Sequence, residues 1–214
     1  MLDLYVITDS SLSGGKEDWE VAKLAYEGGA ETVQLRMKNA SDEEILEQAM
    51  KIQKIADDMN RIFIVNDNVD VALAAGADGV HLGQDDLPLS RAREILGDDF
   101  IIGISVSDEK EAVEAYENGA DYVAIGSIFS TSTKEDAGEG IGLDAIVRVR
   151  NAVPDIPLVA IGGINLGNIK DVIRAGADSA AVVSAVVSKK DIKKAAHELR
   201  DAILKTRPHI REGN

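Results

Sequence analysis

Six stretches of this chain bring together groups suited to holding a phosphorylated ligand and an oxygen-bound cation. In Gln34-Leu35-Arg36-Met37-Lys38, alternation sends Gln34 and Arg36 to one side of an extended segment, with Lys38 just beyond it. An arginine placed there is costly to bury unpaired, so it must meet either an internal carboxylate or a ligand phosphate. Asn66-Asp67-Asn68 offers amide and carboxylate oxygens, which serve either a ligand or an Asx turn opening a helix. In Gln84-Asp85-Asp86-Leu87-Pro88, one acid can cap the helix that Pro88 begins, and Asp85 or Asp86 can also join Asp67. Two such carboxylates, with water and phosphate oxygens, resemble a magnesium site. Residues 127–142 hold Ser130-Thr131-Ser132-Thr133, then Lys134, then alternating Gly138, Gly140 and Gly142. They read as a loop able to wrap phosphate with hydroxyl, ammonium and amide donors. Gly162-Gly163 and Val183-Ser184 add backbone N–H groups of the kind that often bind phosphate in α/β barrels.

All of these groups stand where short apolar runs end. The runs cover residues 4–8, 32–36, 62–66, 79–82, 101–105, 122–126, 158–162 and 180–184. Successive apolar residues with Val and Ile prominent indicate strands buried on both faces, as in parallel sheets. Eight of them predict a single-domain (β/α)8 TIM barrel over residues 1–205, with a frayed tail at 206–214. In that fold the C-terminal ends of the strands carry the site. His81, one of three histidines, falls within a strand and reads first as a satisfied barrel residue, second as a base.

A repeated joint supports the barrel. Gly29-Ala30-Glu31, Gly76-Ala77-Asp78, Gly119-Ala120-Asp121 and Gly176-Ala177-Asp178 each precede an even-numbered strand. The glycine is expected to end a helix in a left-handed turn, and the acid to cap that turn. Ser41-Asp42-Glu43-Glu44 reads as a capping box, followed by Ile45, Ala49, Ile52, Ala56 and Met59 at helical spacing. Ser188 is the expected cap of a last helix with Ile192, Ala195, Ala196, Leu199 and Ile203 on one face, stopped by Pro208.

Composition narrows the function. The 214 residues carry a net charge of −15, which argues against nucleic-acid binding and gives weight to cations gathered at strand ends. No apolar run approaches the ~20 residues of a membrane helix, and no signal sequence is visible, so a cytoplasmic protein is expected. With no cysteine, thiol nucleophiles and zinc-thiolate sites are excluded. A homo-oligomer is compatible with all of this and not specified by it.

The ordered set resembles the thiamin phosphate synthase family along essentially the whole chain. The resemblance lies in Gln34 to Lys38, Asn66-Asp67, Gln84 to Pro88, Gly103-Ile104-Ser105, Thr131-Ser132-Thr133-Lys134, Gly162-Gly163-Ile164 and Val183-Ser184. It implies a transferase of thiamine biosynthesis. Hydroxymethylpyrimidine diphosphate and a thiazole phosphate, or its carboxylated form, would join to give thiamine phosphate and diphosphate. It further implies that Gln34, Leu35, Arg36, Met37, Lys38, Asn66, Ser105 and Lys134 surround the pyrimidine diphosphate. Arg36, Lys38, Ser105 and Lys134 would act in catalysis, while Asp67 and Asp86 would bind Mg2+. Thr131, Ser132, Thr133, Gly163, Val183 and Ser184 would hold the thiazole phosphate.

Many relatives have glutamate where Met37 stands, histidine where Ser107 stands and proline where Ser130 stands; these departures modify the surroundings of the site. Two other activities suit the same barrel: a thiazole tautomerase-like isomerase, which needs a proton-transferring residue, and a non-catalytic module that binds thiamine phosphate. The retained Asp67, Asp86 and Lys134 favour the transferase.

Overall fold

The computed structural model describes residues 3–131 and 139–207. Eight parallel strands close into a barrel in sequence order, β1-β2-β3-β4-β5-β6-β7-β8. The order is β1 (Leu4–Ile7), α1 (Asp18–Glu27), β2 (Thr32–Leu35), α2 (Asp42–Met59), β3 (Ile62–Asn66), α3 (Val69–Ala75) and β4 (Gly79–Leu82). Then come α4 (Leu89–Leu96), β5 (Ile101–Val106), α5 (Glu109–Glu117), β6 (Tyr122–Ile125), α6 (Leu143–Ala152) and β7 (Leu158–Ile161). The chain closes with α7 (Ile169–Arg174), β8 (Ser179–Val182), a short α8 (Ser184–Val187) and α9 (Ile192–Thr206). Strands one and eight pair directly, Tyr5 opposite Ala181, which shuts the barrel. This is the expected (β/α)8 architecture.

The pleat divides the apolar residues between two cores. Leu4, Val6, Val33, Leu35, Phe63, Val65, Val80 and Leu82 point outward, where the helices cover them. Tyr5, Ile7, Ile64, Tyr122, Ala124, Val159 and Ala181 fill the interior. Each helix supplies one apolar stripe. On α2, Ala49, Ile52 and Ala56 are fully buried, and the predicted capping box is present, with the Ser41 hydroxyl accepting from the Glu44 N–H. On α9, Ile192, Ala196, Leu199 and Ile203 are buried.

Two local expectations need correcting. Asp191, not Ser188, caps α9: its carboxylate accepts from the Lys194 N–H, while the Ser188 hydroxyl donates to the Ser184 carbonyl. Ser188 instead follows the last residue of the four-residue helix α8 and closes that helix. At the repeated joints the glycines do take left-handed φ, from +66° at Gly76 to +112° at Gly176. Asp78, Asp121 and Asp178, however, do not cap their own turns. They reach to the preceding strand and accept from the N–H groups of Phe63 (2.7 Å), Ile102 (2.7 Å) and Leu158 (2.8 Å).

Arginines complete two of these clasps on the lower rim. Arg93, on α4, donates to the Phe100 carbonyl at 2.6 Å, the Gly119 carbonyl at 3.2 Å and Asp121 at 2.6 Å. Arg150, on α6, repeats the pattern with the Ile156 carbonyl, the Gly176 carbonyl and Asp178. Helix ends, loop carbonyls and strand starts are thus tied together at the face remote from the candidate site.

Candidate active site

At the opposite face the strand ends enclose a cavity of about 490 Å³. Its floor is polar because β2, β4 and β5 place Gln34, His81 and Ser105 on their inward faces. These residues join two buried tyrosines in a continuous chain of hydrogen bonds. Gln34 Nε2 donates to the Tyr5 hydroxyl at 2.7 Å, which lies 3.0 Å from the Tyr122 hydroxyl. The latter is 2.9 Å from His81 Nδ1, and His81 Nε2 is 2.9 Å from Ser105 Oγ. Both imidazole nitrogens are therefore bonded, and burial pushes His81 down to about 4. It is a neutral, satisfied barrel residue, the first of the two sequence expectations.

The phosphate-binding side chains stand above this floor. Arg36 and Lys38 both line the cavity, and among the described residues neither has a carboxylate within ion-pair distance. Of the two fates open to Arg36, a direct internal ion pair is not formed there, although its charge reaches Asp67. Thr8, left without a role by the sequence, holds this segment: its hydroxyl accepts from the Arg36 N–H at 3.3 Å, and its own N–H donates to the Gln34 carbonyl.

Asp67 and Asp86 meet beside these cations. Asp67 has φ +60°, a left-handed conformation uncommon outside glycine, and its N–H donates to the His81 carbonyl at 2.8 Å. Asn68 takes the helix-capping role, accepting from the Val71 N–H, which leaves the Asp67 carboxyl to face the cavity. One Asp86 oxygen accepts from the Gly83 N–H at 2.7 Å, and its carboxyl lies close enough to Asp67 to act on its charge. Burial and then the neighbouring Asp86 raise Asp67 to about 6, partly offset by Arg36. The cap position of α4 is Pro88 itself, so neither Asp85 nor Asp86 caps that helix.

The far wall is built differently. Gly162 and Gly163 have φ of +103° and +64°, and a β-carbon on Gly163 would fall 2.7 Å from the Ser130 carbonyl. Close approach of backbone to backbone demands glycine there. Gly163, Val183, Ser184 and Thr131 line this side.

Of the residues singled out in the sequence, the structure thus brings together Gln34, Arg36, Lys38, Asn66, Asp67, Asp86, Ser105, Thr131, Gly163, Val183 and Ser184. It does not bring Leu35 or Met37 there: Leu35 is buried among the outward-facing core residues, and Met37 packs against them. Ser132, Thr133 and Lys134 lie outside the described residues. The floor tyrosines Tyr5 and Tyr122 were missed. Their signal was strand parity, since Tyr5 sits two residues before Ile7 on the inward face.

A model of the thiamine monophosphate synthase family matches residues 4–186 of this sequence. The chain belongs to that family. A thiamine-phosphate synthase of Methanoculleus marisnigri is 51% identical over 201 residues, covering 94% of this chain and 95% of that protein. One of Methanoregula boonei is 48% identical over 211 residues, covering 99% and 97%. Among solved structures, the thiamine phosphate pyrophosphorylase from Pyrococcus furiosus superposes with a TM-score of 0.88 at 43% identity, covering 96% of each chain. Like those members of the thiamine monophosphate synthase family, this chain is an enzyme, a transferase of thiamine biosynthesis. Among the described residues, no helix is long and apolar enough to cross a membrane.

Proposed function

We propose that this enzyme joins hydroxymethylpyrimidine diphosphate to thiazole phosphate, giving thiamine phosphate and diphosphate. The observation that carries this reading is the division of the cavity into two unlike walls. One holds Arg36, Lys38, Asp67 and Asp86, suited to a diphosphate with its cation; the other offers backbone at Gly163 and a hydroxyl at Ser184, suited to a single phosphate.

The carboxylate pair also supports the implied magnesium ion. Burial first and the neighbouring Asp86 second raise Asp67 to about 6, so a bound cation would relieve part of the cost of keeping both carboxyls charged. Among the described residues no cluster of three or more His, Cys, Asp or Glu forms a full protein cage. That suits magnesium, which keeps waters and phosphate oxygens alongside one or two carboxylates. Asp67 and Asp86 would hold it, and when bound it would neutralise charge on the departing diphosphate.

The remaining work falls to the chain's own groups. Arg36 and Lys38 stabilise the leaving group as the C–O bond breaks; Lys134 would join them, on the strength of the family resemblance alone. The polar floor orients the pyrimidine ring, and the far wall holds the thiazole so that its nitrogen lone pair faces the electrophilic carbon. The nucleophile needs no deprotonation, in keeping with a neutral His81 whose two nitrogens are already bonded.

The test is direct: incubate the purified enzyme with both substrates and magnesium, and follow thiamine phosphate and diphosphate. Equal release of both products supports the transferase. Rearrangement of the thiazole without diphosphate release, or tight binding of thiamine phosphate without turnover, would replace it with the isomerase or the binding module.

A further inference from the structure

The hydrogen-bonded chain across the barrel floor has a direction. An amide N–H2 can only donate, so the Tyr5 oxygen accepts from Gln34 Nε2, and the proton of Tyr5 passes to the Tyr122 oxygen. Each hydroxyl has one proton to give. The Tyr122 proton is therefore committed to His81 Nδ1, which places the imidazole proton on Nε2, aimed at Ser105 Oγ. Ser105 then accepts from within the wall and keeps its own proton for the cavity. Gln34 likewise keeps its carbonyl oxygen for the cavity.

The two ends are coupled. Rotating the Gln34 amide by half a turn would reverse every bond, presenting an N–H at Gln34 and a bare lone pair at Ser105. In either direction the floor shows one donor and one acceptor on opposite walls. The links from Gln34 to Tyr122 are shut off from water, since Tyr5, Gln34 and Tyr122 are each no more than 2% exposed, while half-buried His81 and Ser105 meet the cavity. The backbone is shaped around the link: Gly103 leaves space that a β-carbon would share with Tyr122 Cζ at 1.9 Å, and the Tyr122 and His81 rings stack at 5.5 Å.

We propose that Tyr5, Tyr122 and His81 are positioning residues that lock Ser105 as a hydrogen-bond donor and Gln34 as an acceptor. That pair is complementary to an amino group beside a ring nitrogen, the edge of an aminopyrimidine. The assignment of that ring rests on the transferase reading given above; the direction of the chain rests on the orientation of the Gln34 amide, whose Nε2 faces Tyr5.

Two measurements separate these claims. Heteronuclear NMR of ring-nitrogen-labelled histidine, with the His81 signals identified by their loss in His81→Asn, should show Nε2 protonated and Nδ1 bare at neutral pH. A proton on Nδ1 overturns the proposed direction. In Tyr122→Phe, which keeps the ring and removes the link, His81 should become a mixture of tautomers. The KM for the pyrimidine diphosphate should rise about tenfold, the worth of one buried hydrogen bond, with kcat and the KM for thiazole phosphate unchanged. Tyr5→Phe, which frees the Gln34 amide, should raise the same KM and serves if Tyr122→Phe is unstable. The double variant should lose no more than Tyr122→Phe alone, because a chain cut once is already cut. Additive losses, or a fall in kcat alone, overturn the proposal. A wild-type enzyme that makes no thiamine phosphate overturns the transferase reading instead, and the NMR result still decides the direction.

Discussion

Gly103→Ala probes how tightly the floor is built. The added methyl group would lie 1.9 Å from Tyr122 Cζ, 2.2 Å from Cε1 and 2.4 Å from the hydroxyl oxygen. The ring cannot yield cheaply, since it is 2% exposed and stacks on His81. Overpacking of this kind costs about 1–3 kcal/mol. Displacing the hydroxyl also loses its bonds to Tyr5 and His81, at about 1 kcal/mol each. The sum, about 3–5 kcal/mol, is a large share of the roughly 5–15 kcal/mol that holds a domain folded. At about 2–4 °C per kcal/mol for a chain of this size, the Tm should fall by about 6–20 °C. Thermal unfolding followed by circular dichroism reads this directly. Gly119→Ala is the comparison: φ is +87° and nothing lies within 4 Å, so only backbone strain of about 1 kcal/mol applies. If both variants melt together, the packing of Tyr122 against Gly103 does not constrain the floor.

Other expectations concern the metal, a helix cap and acid. Asp86→Asn should leave the fold intact but raise the magnesium concentration needed for half-maximal turnover by at least about tenfold, because one of two anionic ligands is lost; an unchanged magnesium dependence removes Asp86 from the metal site. Asp191→Ala should cost about 1 kcal/mol in urea unfolding and Ser188→Ala little, since only Asp191 accepts from a first-turn N–H of α9. The reverse order would show that the cap lies elsewhere. For pH, the unfolded His81 takes up a proton near 6.5 and the folded one only near 4, so its contribution to stability is lost as pH falls between those values. The loss is at most about 3 kcal/mol, reduced by the imidazole edge that faces the cavity. Asp67, raised to about 6, acts oppositely, contributing stability that is lost as pH rises through 6. Urea titrations at pH 7 and 4.5 should therefore show a smaller acid-induced loss in His81→Asn than in wild type; equal losses refute the assignment to His81.

The strands and the chemistry at their ends were legible because both depend on short-range pattern. Continuous apolar runs mark buried strands, and period-two alternation sends Gln34 and Arg36 to the same side. What stayed hidden depends on distant partners. The Tyr5–Tyr122 contact joins residues 117 apart in sequence, and nothing local to either marks it. Strand parity alone could have separated Leu35 and Met37 from the cavity, but the resemblance treated residues 34–38 as a block. The acids at the repeated joints were recognised as a device and given the wrong partner, because their acceptor role is toward a neighbouring strand. Ser188 and Asp191 are both good capping residues, and what decides between them is that Ser188 is taken up as the C-terminal cap of the short helix α8.

The lower-rim clasps bear on how such a barrel can change over time. Asp78, Asp121 and Asp178, with Arg93 and Arg150, fix strand order and register at one end of the molecule, while the substrates are handled at the other. Insertions, deletions and exchanges in the upper loops can therefore accumulate without disturbing strand pairing. The same separation makes the barrel a scaffold onto which a new pair of upper loops could be grafted, provided those aspartates and arginines are left in place.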